Sequence, residues 1–463
     1  MFNVLRLPLL VLLLLPLMVS CALTPDYERP ELDVPDKYVA PVAGGASVAN
    51  LDWWQLFHDE QLQLLIRTAL DENKDLGIAL SRIEEARLTV TAVRANQFPF
   101  LSASGLFGRE KQSREIFPGA DADDRFLVTG DLTYQVDLWS EFRRATEAAR
   151  ASLLATESAY RNVTISLVSQ VASTYLLLRD LDQRLDVSQQ TLKTRLDSLV
   201  IIQARFDKGT VPELDVYQAQ VEVAVAETAI ASFQRQIIQT ENALRILLGR
   251  NPGPVTRGNS LNSQIFPPSV PVGLPSELLQ RRPDVVQAEA NLMAATATVG
   301  VAEALRYPSI SLTGRFGAES TDLSDLNSSD AETWNIGANI FAPIFNSGQL
   351  KAQADAARER AKQSLLSYEH TLQQSFREVE DALVAVRTYH SENEAQTRRA
   401  FAARNAARLS RARYDGGVVD YLEVLDTERT LFSAELAQSE TLQRYYNAIV
   451  QLYGALGGGW SVE

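Results

Sequence analysis

Between residues 126 and 138 apolar and polar side chains alternate. Phe126, Val128, Gly130, Leu132, Tyr134, Val136 and Leu138 hold the even positions, and Thr129, Asp131, Thr133, Gln135 and Asp137 stand among the odd ones. A period of two describes a strand with one apolar and one polar face. The pattern returns in Ile310, Leu312 and Phe316 against Ser309, Ser311, Thr313 and Arg315, and in Trp334, Ile336, Ala338 and Ile340 against Asn335 and Asn339. Residues 101–109 carry a weaker version. Strands are predicted at about 99–110, 125–138, 308–319 and 332–345, joined in pairs by polar loops at 111–124 and 320–331. Alternation over about ten residues with a turn between is the pattern of a transmembrane barrel, whose apolar face meets lipid and whose polar face lines water. Four strands cannot close one, because about eight is the smallest number and an open edge in lipid leaves backbone groups unpaired. A membrane reading therefore requires copies of the chain to share a barrel; two hairpins in a soluble sandwich are the competing reading.

The rest of the pattern is helical. Residues 141–208 and 349–415 contain neither Gly nor Pro and read as single helices. At 1.5 Å per residue each extends about 100 Å. In the first, Leu178, Leu181, Leu185, Leu192, Leu196, Leu199, Ile202 and Phe206 form a near-heptad seam for neighbouring helices. Tight turns follow at 209–212 and 416–417, then breaker-free stretches at 213–248 and 418–453, so two long hairpins are expected at about 141–248 and 349–455. A soluble coiled-coil bundle would explain these helices equally well.

The hairpins are copies of one unit. Shifted by 208 or 209 residues, Ala204-Arg205-Phe206-Asp207-Lys208-Gly209-Thr210-Val211 falls over Ala412-Arg413-Tyr414-Asp415-Gly416-Gly417-Val418-Val419, and Phe98-Pro99 falls over Tyr307-Pro308. Several matches at almost one offset indicate an internal duplication. The repeats cover about 60–250 and 276–456, with a Pro/Gly-rich linker at 251–275 and a tail at 457–463.

Charge and chemistry narrow the function. The net charge is −14, a poor surface for nucleic acid. Arg6 followed by an apolar run over residues 7–18 has the shape of a secretory signal, here 1–20, and the run is short for a membrane span of about 20 residues. It ends at Val19-Ser20-Cys21. Cys21 is the chain's only cysteine, and a small residue before it resembles a lipobox. That likeness implies cleavage at Cys21, a diacylglycerol and acyl chain on it, and a lipidated extended segment at 21–59; Ala22 fits sorting to the outer membrane. There is no phosphate-binding Gly-rich loop and no Cys/His metal spacing. His58, His370 and His390 are far apart in sequence and read as surface or packing residues. No catalytic residue, metal site or further cofactor is expected.

Trp53-Trp54 with Phe57, Asp59, Leu62 and Leu65, then Leu274-Pro275-Ser276-Glu277-Leu278-Leu279 with Arg282-Pro283-Asp284, then Ala288-Glu289, Val299-Gly300-Val301-Ala302 and Tyr307-Pro308-Ser309-Ile310 resemble the TolC-like outer membrane factors, in particular their lipoprotein branch of OprM/NodT type. Asp137-Leu138-Trp139 and Pro343-Ile344-Phe345-Asn346-Ser347-Gly348 match the family's crossings between strand and helix. The resemblance covers nearly the whole mature chain. It implies a homotrimer, with a twelve-stranded barrel of three times four strands continuous with a periplasmic helical barrel. It also implies a periplasmic adaptor and an inner-membrane transporter as partners, and passive export of drugs or other small molecules; protein secretion is the alternative within the duct class. A periplasmic adaptor or coiled-coil scaffold lipoprotein would not need the two strand pairs.

The same resemblance places functional residues. The tips Gly209, Thr210, Val211 and Pro212, and Gly416, Gly417, Val418 and Val419, would dock against the adaptor. Leu422 would form an apolar constriction and Asp426 an acidic ring, with Arg429 as a restraining partner. Positions 422, 426 and 429 share one helix face. The first repeat has Leu214 and Gln218 at the equivalent places, so the two hairpins are expected to differ as gates.

Overall fold

The structure is a computed structural model that describes residues 26–39, 57–119, 121–266, 272–273 and 275–458. The signal segment, Cys21, Trp53, Trp54 and Leu274 lie outside the described residues. The chain divides into two compact units, each drawing on both repeats. One is Met1–Glu31, Arg82–Glu157 and Gln287–Glu369; the other is Leu32–Ser81, Ser158–Val286 and His370–Glu463. In chain order the helices of four or more residues are α1 (Glu60–Glu72), α2 (Lys74–Ala95), α3 (Glu141–Asp207), α4 (Glu213–Leu247), α5 (Leu278–Arg281), α6 (Pro283–Ala304), α7 (Gln349–Asp415) and α8 (Tyr421–Ala455). The strands are β1 (Phe100–Lys111), β2 (Ala122–Val136), β3 (Ser309–Ser320) and β4 (Glu332–Phe341).

The first unit holds the sheet, an antiparallel meander in the order β1-β2-β3-β4. Its register aligns the alternating residues on common faces: Leu101 pairs with Leu132, Gly130 with Phe316, and Phe316 with Trp334. Trp334 and Ile336 are 67% and 81% exposed, so this face presents large apolar side chains outward. On the other face Asp131 accepts from Arg315 Nε at 2.6 Å and from Thr129 Oγ1 at 2.9 Å. β4 stops at Phe341, short of the expected 345, because Pro343 has no N–H to donate. Both edge strands, β1 and β4, lack a neighbour on one side among the described residues.

Gly317 lets β3 approach β2 closely: a Cβ there would lie 2.0 Å from the Val128 carbonyl oxygen and 2.8 Å from Thr129 Cα. Gly317→Ala is therefore expected to disrupt the β2–β3 ladder. The yield of heat-resistant trimer in outer-membrane fractions, read on unboiled gels, should fall several-fold.

The second unit holds the main core, in which Leu62, Ile66, Tyr175, Leu176, Leu178, Leu244 and Leu452 are buried. Its polar centre is Asp59, 2% exposed. One carboxylate oxygen caps α1 by accepting from Gln61 N at 2.9 Å and Leu62 N at 3.3 Å. The other accepts from Tyr175 Oη at 2.9 Å, Asn259 N at 3.0 Å and Gln264 Nε2 at 2.8 Å. This side chain thus ties α1, α3 and the segment after α4 together. Gly258 passes so close that a Cβ would sit 2.3 Å from Asp59 Oδ1.

The apolar seam expected along α3 is interrupted. Leu178 and Leu181 are buried, but Leu196 is 43% exposed, and the buried positions beside it are Arg195 and Ser198. Charge replaces leucine there because a partner carboxylate waits on α4.

Candidate functional site

Both hairpin tips close in the same way. After α3, Gly209 takes φ +70° and its N–H donates to Phe206 O, while Thr210 N donates to Arg205 O. After α7, Gly417 takes φ +70° and donates to Tyr414 O, while Val418 N donates to Arg413 O. These paired bonds satisfy the last carbonyls of each helix, and glycine adopts the left-handed conformation without strain. Pro212 then precedes α4, and Asp420 caps α8 by accepting from Glu423 N at 3.2 Å. Val211 and Val419 turn inward onto a small core of Ile202, Val216, Tyr414, Tyr421, Val424 and Leu425, whereas Gly209, Thr210, Pro212, Gly416, Gly417 and Val418 are exposed. The tips differ at Lys208 against Gly416 and Thr210 against Val418, and in the side-chain cap that α8 has and α4 lacks.

Leu422 is 58% exposed and Asp426 is exposed one helical turn later, on the same face of α8. Among the described residues no hydrogen bond or ion pair engages Asp426. Arg429 does not pair with it. Its Nε instead donates to Glu222 Oε1 on α4 at 2.5 Å. The reason is burial: Glu222 is 4% exposed and needs cationic partners, while Asp426 keeps its water.

Glu222 is the centre of a network that sequence reasoning missed. Arg195 of α3, with 2% of its side chain exposed, donates from Nη2 to Glu222 Oε2 at 2.7 Å and from Nη1 to the Glu222 carbonyl at 2.6 Å. Its guanidinium lies 5.0 Å from the centre of the Phe432 ring on α8. Nearby, Arg411 of α7 reaches Ser198 Oγ at 2.6 Å and Glu428 Oε1 at 3.7 Å. Burial pushes the Glu428 carboxyl above its usual range, against the pull of Arg411 and Arg195. Burial likewise lowers Arg195, with Glu222 acting in the opposite sense. Five charged groups thus bind the first hairpin to the second just behind the tips. A signal was present in the sequence: Glu222 interrupts the apolar face of α4 formed by Val216, Ala219, Val223 and Ala226.

A raised carboxylate opposes folding once it is charged. Stability is therefore lost as pH rises through the ordinary carboxylate range toward the raised value. Glu428→Gln is expected to melt slightly higher than the unaltered protein at pH 7, with the difference vanishing below that range; melting curves at both pH values check this.

The outer membrane efflux protein family model matches residues 65–250 and 274–458. The chain belongs to that family. It is 37% identical over 466 residues to the solvent efflux pump outer membrane protein SrpC of Pseudomonas putida, covering 99% of this chain and 98% of SrpC. It is 35% identical over 456 residues to the cation efflux system protein CusC of Escherichia coli O157:H7, covering 96% of each. The open-state crystal structure of the Neisseria gonorrhoeae MtrE outer membrane channel superposes with a TM-score of 0.87 at 31% identity, covering 95% of this chain and 98% of that one. This efflux channel protein therefore resides in the outer membrane with a large periplasmic part. It works as a trimer in a tripartite system with a periplasmic adaptor and an inner-membrane transporter. Its relatives are channel proteins.

Proposed function

We propose that the chain is an acylated, chemically passive exit duct for small molecules, closed at its periplasmic end by ties between its two hairpins. The observation that carries this is the Glu222 network: a buried carboxylate held at once by Arg195 of the first hairpin and Arg429 of the second. In this reading Leu422 and Asp426, exposed on one face of α8, point to the axis as an apolar ring and an acidic ring. Three carboxylates converging there repel one another, so the closed state depends on restraints elsewhere. Glu222–Arg429 supplies that restraint in place of the Asp426–Arg429 pair read from the sequence. The exposed tip residues Gly209, Thr210, Pro212, Gly416, Gly417 and Val418 meet the adaptor, with Val211 and Val419 holding the turns in shape. The diacylglycerol and acyl chain sit on Cys21, as the lipobox implies. Relatives named for solvents and for cations support small cargo as the class.

The test is dye efflux from cells in which this protein, its adaptor and its transporter replace the native set. Unaltered protein should restore export. Replacing Thr210 and Val418 with arginine should abolish it while leaving trimers in the outer membrane. Full export by the tip variant, or no export by the unaltered set, would refute the reading.

A further inference from the structure

Near the start of the described residues, Asp26, Tyr27 and Arg29 are bound rather than free. Asp26 Oδ1 receives Arg144 Nη2 of α3 at 2.8 Å. Arg29 forks onto Glu289 of α6, with Nε to Oε1 and Nη2 to Oε2 both at 2.6 Å, and Tyr27 Oη donates to the same Oε1 at 3.2 Å. The Glu289 side chain is only 5% exposed, so Arg29 is the cation that keeps a buried carboxylate compensated. Beside it, the Tyr368 hydroxyl of α7 is buried with no hydrogen-bond partner among the described residues, and burial, then the Glu289 charge, push it up. All of these groups belong to the unit that contains the sheet. The duplication sharpens the point: the positions 208 and 209 residues before Glu289 are Ser81 and Leu80, so the acceptor exists in one repeat only. One acceptor per chain matches one N-terminal segment per chain.

We propose that residues 26–29 form an ionic latch, Arg29 on Glu289 and Asp26 on Arg144, that fixes the acylated N-terminus to the barrel-bearing unit instead of leaving it a loose tether. This rests on acylation at Cys21. Asp26 is five residues on from Cys21, and five steps of extended chain reach at most about 18 Å. The lipid must therefore enter the membrane within that distance of Asp26, and so close to the start of α3. Anchor and barrel then occupy one patch of bilayer.

A nitroxide on Glu28→Cys tests this in full-length purified trimers. Glu28 is exposed and takes no part in the latch. An acylated Cys21 leaves that introduced thiol as the only one, so labelling stops at one per chain. Two labels per chain would overturn the acylation reading separately from the latch. With the latch in place the nitroxide should be immobilised. Glu289→Gln should free it to move on the nanosecond scale of an untethered terminus, and exchange of the pair, Arg29→Glu with Glu289→Arg, should immobilise it again at least in part. If Glu289→Gln fails to trimerise, Arg29→Gln with Glu289→Gln removes both charges and provides the same comparison. A label equally mobile in unaltered and latch-broken trimers would overturn the latch.

Discussion

In planar bilayers, Glu222→Ala is expected to raise the open probability of the purified channel by about two to three orders of magnitude. Removing one partner of a buried ion pair costs about 3–5 kcal/mol, largely because the other charge is left uncompensated. Here the stranded group is Arg195, with 2% of its side chain exposed. If that cost falls on the closed arrangement, each ~1.4 kcal/mol shifts the equilibrium tenfold. Arg429→Ala cuts the tie to α8 but leaves Arg195 and Glu222 paired, and the lost side chain is half exposed. Exposed pairs contribute about 1 kcal/mol or less, so its effect should be several-fold. Asp426→Asn is expected to act in the opposite direction, because it removes charge repulsion at the axis without breaking a bond. The order Glu222→Ala, then Arg429→Ala, then unaltered, then Asp426→Asn separates the network from any single gate residue. Equal open probability in all four would remove the hairpin ties from the mechanism.

Asp59→Ala should be the most destabilising single change in the second unit. It removes an N-cap, worth about 0.5–2 kcal/mol. It also takes the acceptor from the Tyr175 hydroxyl, which keeps only the bond from Gly258 N, from the Asn259 N–H, and from the Gln264 amide, which keeps the Asn259 carbonyl; a buried group left wholly unsatisfied costs about 1–3 kcal/mol. A loss of about 2–5 kcal/mol follows. Asp59→Asn keeps an acceptor and should lose less. Calorimetric melting of detergent-solubilised trimers distinguishes them: Asp59→Ala should melt well below Asp59→Asn, and indistinguishable curves would show that other contacts carry the junction.

The strands were legible because lipid and water lie on opposite faces of one sheet, so every second residue reports its solvent directly. The apolar sets read at 126–136, 310–316 and 334–340 are the ones the register places on a common face. The long helices were legible because nothing in 141–208 or 349–415 breaks them. What sequence alone could not supply was pairing over distance. Arg429 sits three residues from Asp426, and local spacing suggested that pair; burial gave the arginine to Glu222, 207 residues away. Arg29 and Glu289 stand 260 residues apart, and neither position is unusual in its own segment. The seam of α3 holds at Leu178, Leu181, Leu185, Leu199, Ile202 and Phe206 and breaks at Leu196 for the same reason, since Arg195 beside it is buried against a carboxylate of α4.

Four strands with two open edges become a membrane channel only when copies of the chain share one barrel. Light scattering of the acylated protein in mild detergent, corrected for bound detergent, tests it most directly. Three chains per particle is the predicted result. A stable single chain, soluble without detergent, would contradict the shared barrel and with it the duct.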